Sequence, residues 1–176
     1  MKINELSDTY LNKNFFVRWF SKAKINIAIK LADLKKEDFI LDFGCGAGWL
    51  KSLLKKEGYN VVGYDIIKEQ SDIEDYTKIK PNKIFALDVF EHIPEDEVKK
   101  IIQNFKKMNP KLELITSIPT ENLFSRKARK LLGKTERVKE HITSLKKLLK
   151  IFNSELKLIK KINFLSVSYI VRFKNN

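Results

Sequence analysis

The amino-acid sequence predicts an α/β fold, a sandwich on a mostly parallel sheet that ends in an antiparallel C-terminal hairpin. Short apolar runs alternate with stretches of helical periodicity, the pattern of parallel strands joined by crossover helices. The first run breaks off at a cluster of glycines, and the last two strand-like runs follow one another with no helical stretch between them. At 176 residues with 43% hydrophobic side chains, the chain has material for one packed core and reads as a single domain, residues 1–176.

Asn14 to Leu34 repeats apolar residues at helical spacing and forms the core of an N-terminal helical segment, residues 1–34. Its Arg18, Lys22, Lys24 and Lys30 leave a membrane-surface role open, with packing on the core as the first expectation. Phe39 to Phe43 is an apolar strand, and Trp49, Leu50, Leu53 and Leu54 carry a helix that Gly58 stops. Asn60 to Asp65 and Lys83 to Asp88 are the next strands. Pro94 with Glu95, Asp96 and Glu97 opens an acid-rich helix that Asn109-Pro110 closes, and Lys111 to Ile118 is a further strand. Short helices are expected over Asn122 to Leu132 and over Ser144 to Phe152, the latter with Thr143 as N-cap. Glu155 to Ile162 and Ser166 to Phe173 should pair as a hairpin turning around Asn163-Phe164.

A balance of 35 basic against 22 acidic residues gives +13, and most of the excess is C-terminal: Arg126 to Lys161 holds thirteen basic residues and three acidic ones. That distribution suits either solvated helix faces or a patch for an anion, including nucleic acid. The single cysteine, Cys45, rules out an intrachain disulfide framework and a zinc site of several thiolates. No metal is expected, and a reducing cytoplasm fits. No stretch approaches the roughly 18 apolar residues that cross a bilayer, so no transmembrane segment is expected.

In Ile40-Leu41-Asp42-Phe43-Gly44-Cys45-Gly46-Ala47-Gly48, glycines alternate where a strand turns into a helix. The backbone can therefore approach a ligand without a Cβ in the way, and the helix start offers N–H groups to a carboxylate. Asp42 or a loop carbonyl could receive an ammonium group, so the segment suits both ends of an amino acid. Asp65, 21 positions beyond Gly44 at a strand tip, is placed to accept two hydrogen bonds from a ribose diol. A dinucleotide fingerprint would need glycine at position 49, where the chain has Trp49.

These residues resemble the class I S-adenosylmethionine-dependent methyltransferases, which share a Rossmann-like three-layer sandwich, and especially the group of quinone-biosynthesis O-methyltransferases. Phe39 to Gly48 looks like the family's first motif, Val61 to Asp65 like its second, and Phe85-Ala86-Leu87-Asp88-Val89-Phe90-Glu91-His92-Ile93 like the segment ending in Glu-His. Pro119 to Asn122 and Glu140 to Thr143 also look like that subgroup, giving a resemblance over about residues 35 to 173. It implies S-adenosylmethionine as cofactor, with Asp42, Gly44, Gly46 and Gly48 at its methionine end, Asp65 at the ribose and Asp88 beside it. It also implies a substrate-side insertion at residues 119–143. The chain departs from the pattern between Asp65 and Phe85, where the family's extra strand and helices do not fit. The acid near the adenine would come from Ser71 to Asp75, with Asp72 as the candidate.

Methyl transfer from a sulfonium can be driven largely by alignment, while a hydroxyl acceptor also needs a base. The only histidines are His92 and His141, and Glu91-His92 follows a strand's carboxyl end, the edge where open α/β sheets hold ligands. Glu91, His92 and His141 are the catalytic candidates, against a role for His92 in simply capping the next helix. Cys45 reads as small buried filler. The expected activity is methylation of a small molecule, first at oxygen. Two alternatives stand beside it: an RNA-binding or RNA-methylating protein using the basic C-terminal third, and a non-catalytic cofactor-binding protein.

Overall fold

A computed structural model describes residues 15–120 and 142–176. In chain order the elements are α1 (Phe15–Ala32), β1 (Phe39–Phe43), α2 (Trp49–Lys56), β2 (Asn60–Tyr64), β3 (Lys83–Leu87), α3 (Glu95–Met108), β4 (Glu113–Pro119), α4 (Leu145–Glu155), β5 (Leu156–Phe164) and β6 (Ser168–Asn175). The helix expected over Asn122 to Leu132 lies outside the described residues.

One sheet runs β2-β1-β3-β4-β6-β5. Its first four strands are parallel, and β6 pairs antiparallel with both β4 and β5. Alternate strand residues feed two cores, as strands buried on both faces require. Leu41, Ile84, Ala86, Leu114 and Val171 pack against α3 and α4. Ile40, Phe85, Ile115 and Ile170 pack against α1 and α2. The result is the expected Rossmann-like three-layer sandwich with an antiparallel C-terminal hairpin.

Two local expectations are corrected. The hairpin does not turn at Asn163-Phe164, which extend β5; it turns at residues 165–167, where Leu165 and Ser166 take positive φ and Asn163 Oδ1 accepts the Ser166 amide. Thr143 does not cap α4. Ser144 occupies that position without a side-chain bond, and the Thr143 hydroxyl donates instead to the Ile93 carbonyl at 2.6 Å.

The short segment after Asp65 forms two 3₁₀ turns, Lys68–Gln70 and Tyr76–Lys78, and no strand. Asp72 does some of a strand's work at the outer edge of β2: its carboxylate accepts the Gly63 amide at 2.9 Å, and its own amide donates to the Gly63 carbonyl at 2.8 Å. An edge strand's main chain is thus covered, which also guards it against pairing with another chain.

α1 runs antiparallel to β3. Its last carbonyls, Leu31 and Ala32, accept from Arg172 and Lys83, which both pair with Glu113 at the amino edge of the sheet. Nearer its start, Lys24 bonds Asp88 just beyond the carboxyl end of β3. The first turns of α1 therefore stand at the carboxyl edge, on the β6–β5 side of Asp88.

Candidate active site

The glycine loop is pinned to the end of β2, because the Gly44 and Cys45 amides both donate to the Tyr64 carbonyl, at 2.7 and 3.0 Å. Gly44, Gly46 and Gly48 all have positive φ, a conformation an L side chain resists. A Cβ on Gly44 would lie 2.5 Å from a Val89 methyl, so this glycine is needed for close approach to the turn after β3. A Cβ on Gly46 would meet nothing within 4 Å and would project into open space above the loop. That open face is where a ligand can lie against bare backbone.

Asp65, just past β2, reaches back over the loop. Its Oδ2 accepts the Gly46 amide at 2.8 Å and its Oδ1 the Ile67 amide at 3.0 Å. The spacing in sequence thus becomes direct contact in space, with the acid at the lip of the open face. Asp42 is buried at the end of β1, and its Oδ2 accepts the Lys51 amide in the first turn of α2 at 3.2 Å. The helix start therefore spends one donor on the protein's own carboxylate. Burial pushes Asp42 up to about 7 despite the Lys51 amide and charge.

Asp72 faces β2 rather than open space. Lys51 Nζ donates to its second oxygen at 2.7 Å; against the upward push of partial burial, the Lys51 and Gly63 bonds hold its carboxyl below the usual carboxylate range. Cys45 is half-buried rather than filler at the core, with its thiol donating to the Gln70 carbonyl at 3.3 Å. Burial first, then the Asp42 charge, pushes that thiol up to about 12, which removes it from thiolate chemistry.

On the other side of the loop, Asp88 adopts a positive φ of 56°. Its carboxylate accepts from Ser117 Oγ at 2.6 Å and pairs with Lys24. Glu91 follows in a 3₁₀ turn, Phe90–His92, and is 2% exposed. One of its carboxylate oxygens, Oε2, is buried with no hydrogen-bond partner. Burial raises this carboxyl to about 7, although its own backbone N–H and the Lys24 charge favour ionisation. His92 Nε2 lies 4.0 Å from Glu91 Oε1, beyond hydrogen-bond reach, and its ring is partly exposed. The Ile142 and Thr143 amides donate to the Glu91 carbonyl at 2.7 and 3.1 Å, tying the start of α4 to this turn. His141 lies outside the described residues. Among those described, no group of three or more His, Cys, Asp or Glu is arranged to hold a metal ion.

Lys24 and Ser117 are site residues that sequence reasoning did not single out. Ser117 carried no signal, being one residue inside a strand. Lys24 did carry one: it falls on the buried stripe of α1 with Ala28 and Leu31, where a lysine needs an acid to face.

A methyltransferase-domain family model matches residues 19–156. The chain belongs to that family and is a class I S-adenosylmethionine-dependent methyltransferase. No curated protein matches it significantly in sequence. Among solved structures it is similar to a protein of Pyrococcus horikoshii, at TM-score 0.72 and 16% identity, covering 96% of each chain. It is also similar to magnesium protoporphyrin IX methyltransferase from Synechocystis with bound S-adenosylhomocysteine, at TM-score 0.65 and 18% identity, covering 93% of this chain and 88% of that one. A methyltransferase from Aquifex aeolicus superposes at TM-score 0.63 with 16% identity over 90% of this chain and 97% of its own. At these identities the likeness is one of fold.

Proposed function

We propose that this methyltransferase acts on an oxygen of a small-molecule acceptor, with Glu91 taking the acceptor's proton. The observation that carries the reading is the buried, unpartnered Oε2 of Glu91, on the same edge of the sheet as the glycine loop. A buried carboxylate oxygen without a donor is costly, and a hydroxyl on the incoming molecule would supply one. A carboxyl raised to about 7 is also well matched to taking a proton near neutral pH.

The residues present fit the cofactor. Gly44, Gly46 and Gly48 give its methionine end a bare backbone surface, Asp42 stands beneath as partner for the ammonium, and Asp65 at the lip takes the ribose hydroxyls. Asp88 borders the same space, and Asp72 supports the adenine side by holding the Gly63 main chain. Bound there, S-adenosylmethionine supplies a methyl group on a sulfonium, an electrophile that needs alignment more than activation. His92 and His141 are proposed to flank the acceptor, with residues 119–143 as the substrate-side insertion of a single domain. The lone cysteine, Cys45, agrees with a reducing, cytoplasmic setting.

Calorimetry with S-adenosylhomocysteine tests the donor site, and no heat of binding by folded protein would refute it. Methyl transfer to a panel of hydroxylated and amino acceptors, comparing wild type with Glu91→Gln, tests the acceptor side. Selective methylation of amines would overturn the oxygen assignment.

A further inference from the structure

The first turns of α1 expose large aromatic side chains: Phe15 is 64% exposed, Phe16 66% and Trp19 49%. Phe20, one turn further on, stacks on Phe164 at 4.8 Å, which brings this tip of α1 against the end of β5. There the hairpin turn adds Leu165, itself 51% exposed. Pro119 pairs with Ser168, and Thr120 bonds residues 166 and 167, so this turn stands at the carboxyl edge of the sheet. Lys24 of α1 reaches Asp88 at the same edge. The exposed aromatic tip and the active site therefore open on one side of the molecule.

Among the described residues on this side, Arg18, Lys22 and Lys160 are basic, and neither α1 nor β5 contains an acid. Lys22 is exposed on the helix flank beside Phe15 and Trp19, and Lys160 shares the α1-facing side of β5 with Ile162 and Phe164. Aromatic side chains at the tip of an amphipathic helix, flanked by basic residues, match the interfacial layer of a bilayer with anionic headgroups. Single-stranded nucleic acid also stacks bases on exposed aromatic side chains, and the test below separates it from a bilayer.

We propose that the α1 tip and Leu165 form a docking surface for an anionic phospholipid bilayer, which holds the acceptor side of the enzyme against the membrane. Docking rests on the surface alone and is independent of which atom is methylated. The test is co-sedimentation of the full chain with vesicles of phosphatidylcholine, with and without phosphatidylserine. Wild type is expected to sediment with the anionic vesicles only, to be released by rising salt, and to show a blue shift of tryptophan emission that Trp19→Phe removes. Phe15→Ser with Trp19→Ser should lower partitioning by about tenfold or more, while S-adenosylhomocysteine binding stays unchanged and reports a folded protein. Lys22→Glu, at an exposed position, should weaken binding to anionic vesicles and serves if the aromatic variant does not fold. Absence of sedimentation, aromatic and Lys22 variants that sediment as well as wild type, or binding to RNA in preference to vesicles would overturn the proposal. Loss of cofactor binding in wild type would instead refute the methyltransferase site and leave docking standing.

Discussion

Gly44→Ala measures how tightly the cofactor loop is built onto the strand beside it. The new Cβ would lie 2.5 Å from Val89 Cγ2, 3.0 Å from Cγ1 and 3.4 Å from Cβ, at a φ of +72°. A valine rotamer can put its hydrogen in the 2.5 Å position, but a methyl stays at 3.0 Å and Cβ at 3.4 Å, so the turn must still give. Left-handed backbone costs a non-glycine residue about 1–2 kcal/mol, and forced overpacking adds about 1–3 kcal/mol, for a loss of roughly 2–5 kcal/mol in urea unfolding. Val89→Ala alone should cost about 1.5 kcal/mol or less, since Val89 is only partly buried. The double variant separates the two causes. It should recover about 1–3 kcal/mol relative to the sum of the singles, while the backbone share stays lost. Because Val89 lies between Asp88 and Glu91, the single Gly44→Ala protein should also lose S-adenosylhomocysteine affinity, in part restored in the double. Additive costs, with no recovery beyond error, would refute the contact.

Three further outcomes follow from the site. Asp65→Ala removes the acceptor for the Gly46 and Ile67 amides, and S-adenosylhomocysteine affinity should fall about tenfold or more by calorimetry; Asp65→Asn, which keeps one acceptor oxygen, should fall between. If Asp42 binds the ammonium when ionised, its carboxyl at about 7 makes affinity rise with pH. Between about pH 5.5 and 7 the ionised fraction grows about fifteenfold, and Kd should tighten in step, with Asp42→Asn giving a flat profile. For Glu91, a folded-state value raised from 4.5 to about 7 makes ionisation a cost to the fold that grows as pH rises between them. Glu91→Gln should therefore raise the denaturation midpoint above neutral pH, by about 1–3 kcal/mol of stability, while lowering turnover by about 10²-fold or more.

Much of this was legible in the sequence, because it depends on local pattern. The apolar runs Phe39 to Phe43 and Lys83 to Leu87 stop at glycines or at an acid, and these boundaries place the carboxyl edge. The spacing from Gly44 to Asp65 is one strand–helix–strand unit long, so the acid had to return to the loop. What stayed hidden was set by contacts distant in sequence. The Lys24–Asp88 pair spans 64 positions, and nothing in either segment names the other. Asp72 was readable as a loop acid but not as the cover of an edge strand, because that role exists only where the chain omits a strand beside β2. The hairpin turn was misplaced because Asn163-Phe164 looks like a turn pair, whereas Phe164 is held in β5 by its stack on Phe20.

Lys24 also explains how a site with this many acids can fold. Asp42, Asp65, Asp88 and Glu91 converge at one edge, and two of them are nearly buried. Asp65 accepts the Gly46 and Ile67 amides, and one oxygen of Asp42 accepts an α2 amide. Asp88 is held by a serine and a buried lysine. The lysine in turn requires α1 to lie along the sheet with its start at the carboxyl edge, and the Arg172 and Lys83 bonds to its last carbonyls fix the other end. Among the described residues, Glu91 Oε2 is the fully buried side-chain oxygen left without a hydrogen-bond partner. The same placement of α1 that neutralises Asp88 carries Phe15 and Trp19 to the carboxyl edge, beside the end of β5. One helix thus joins the electrostatics of the cofactor edge to the surface from which an acceptor would arrive.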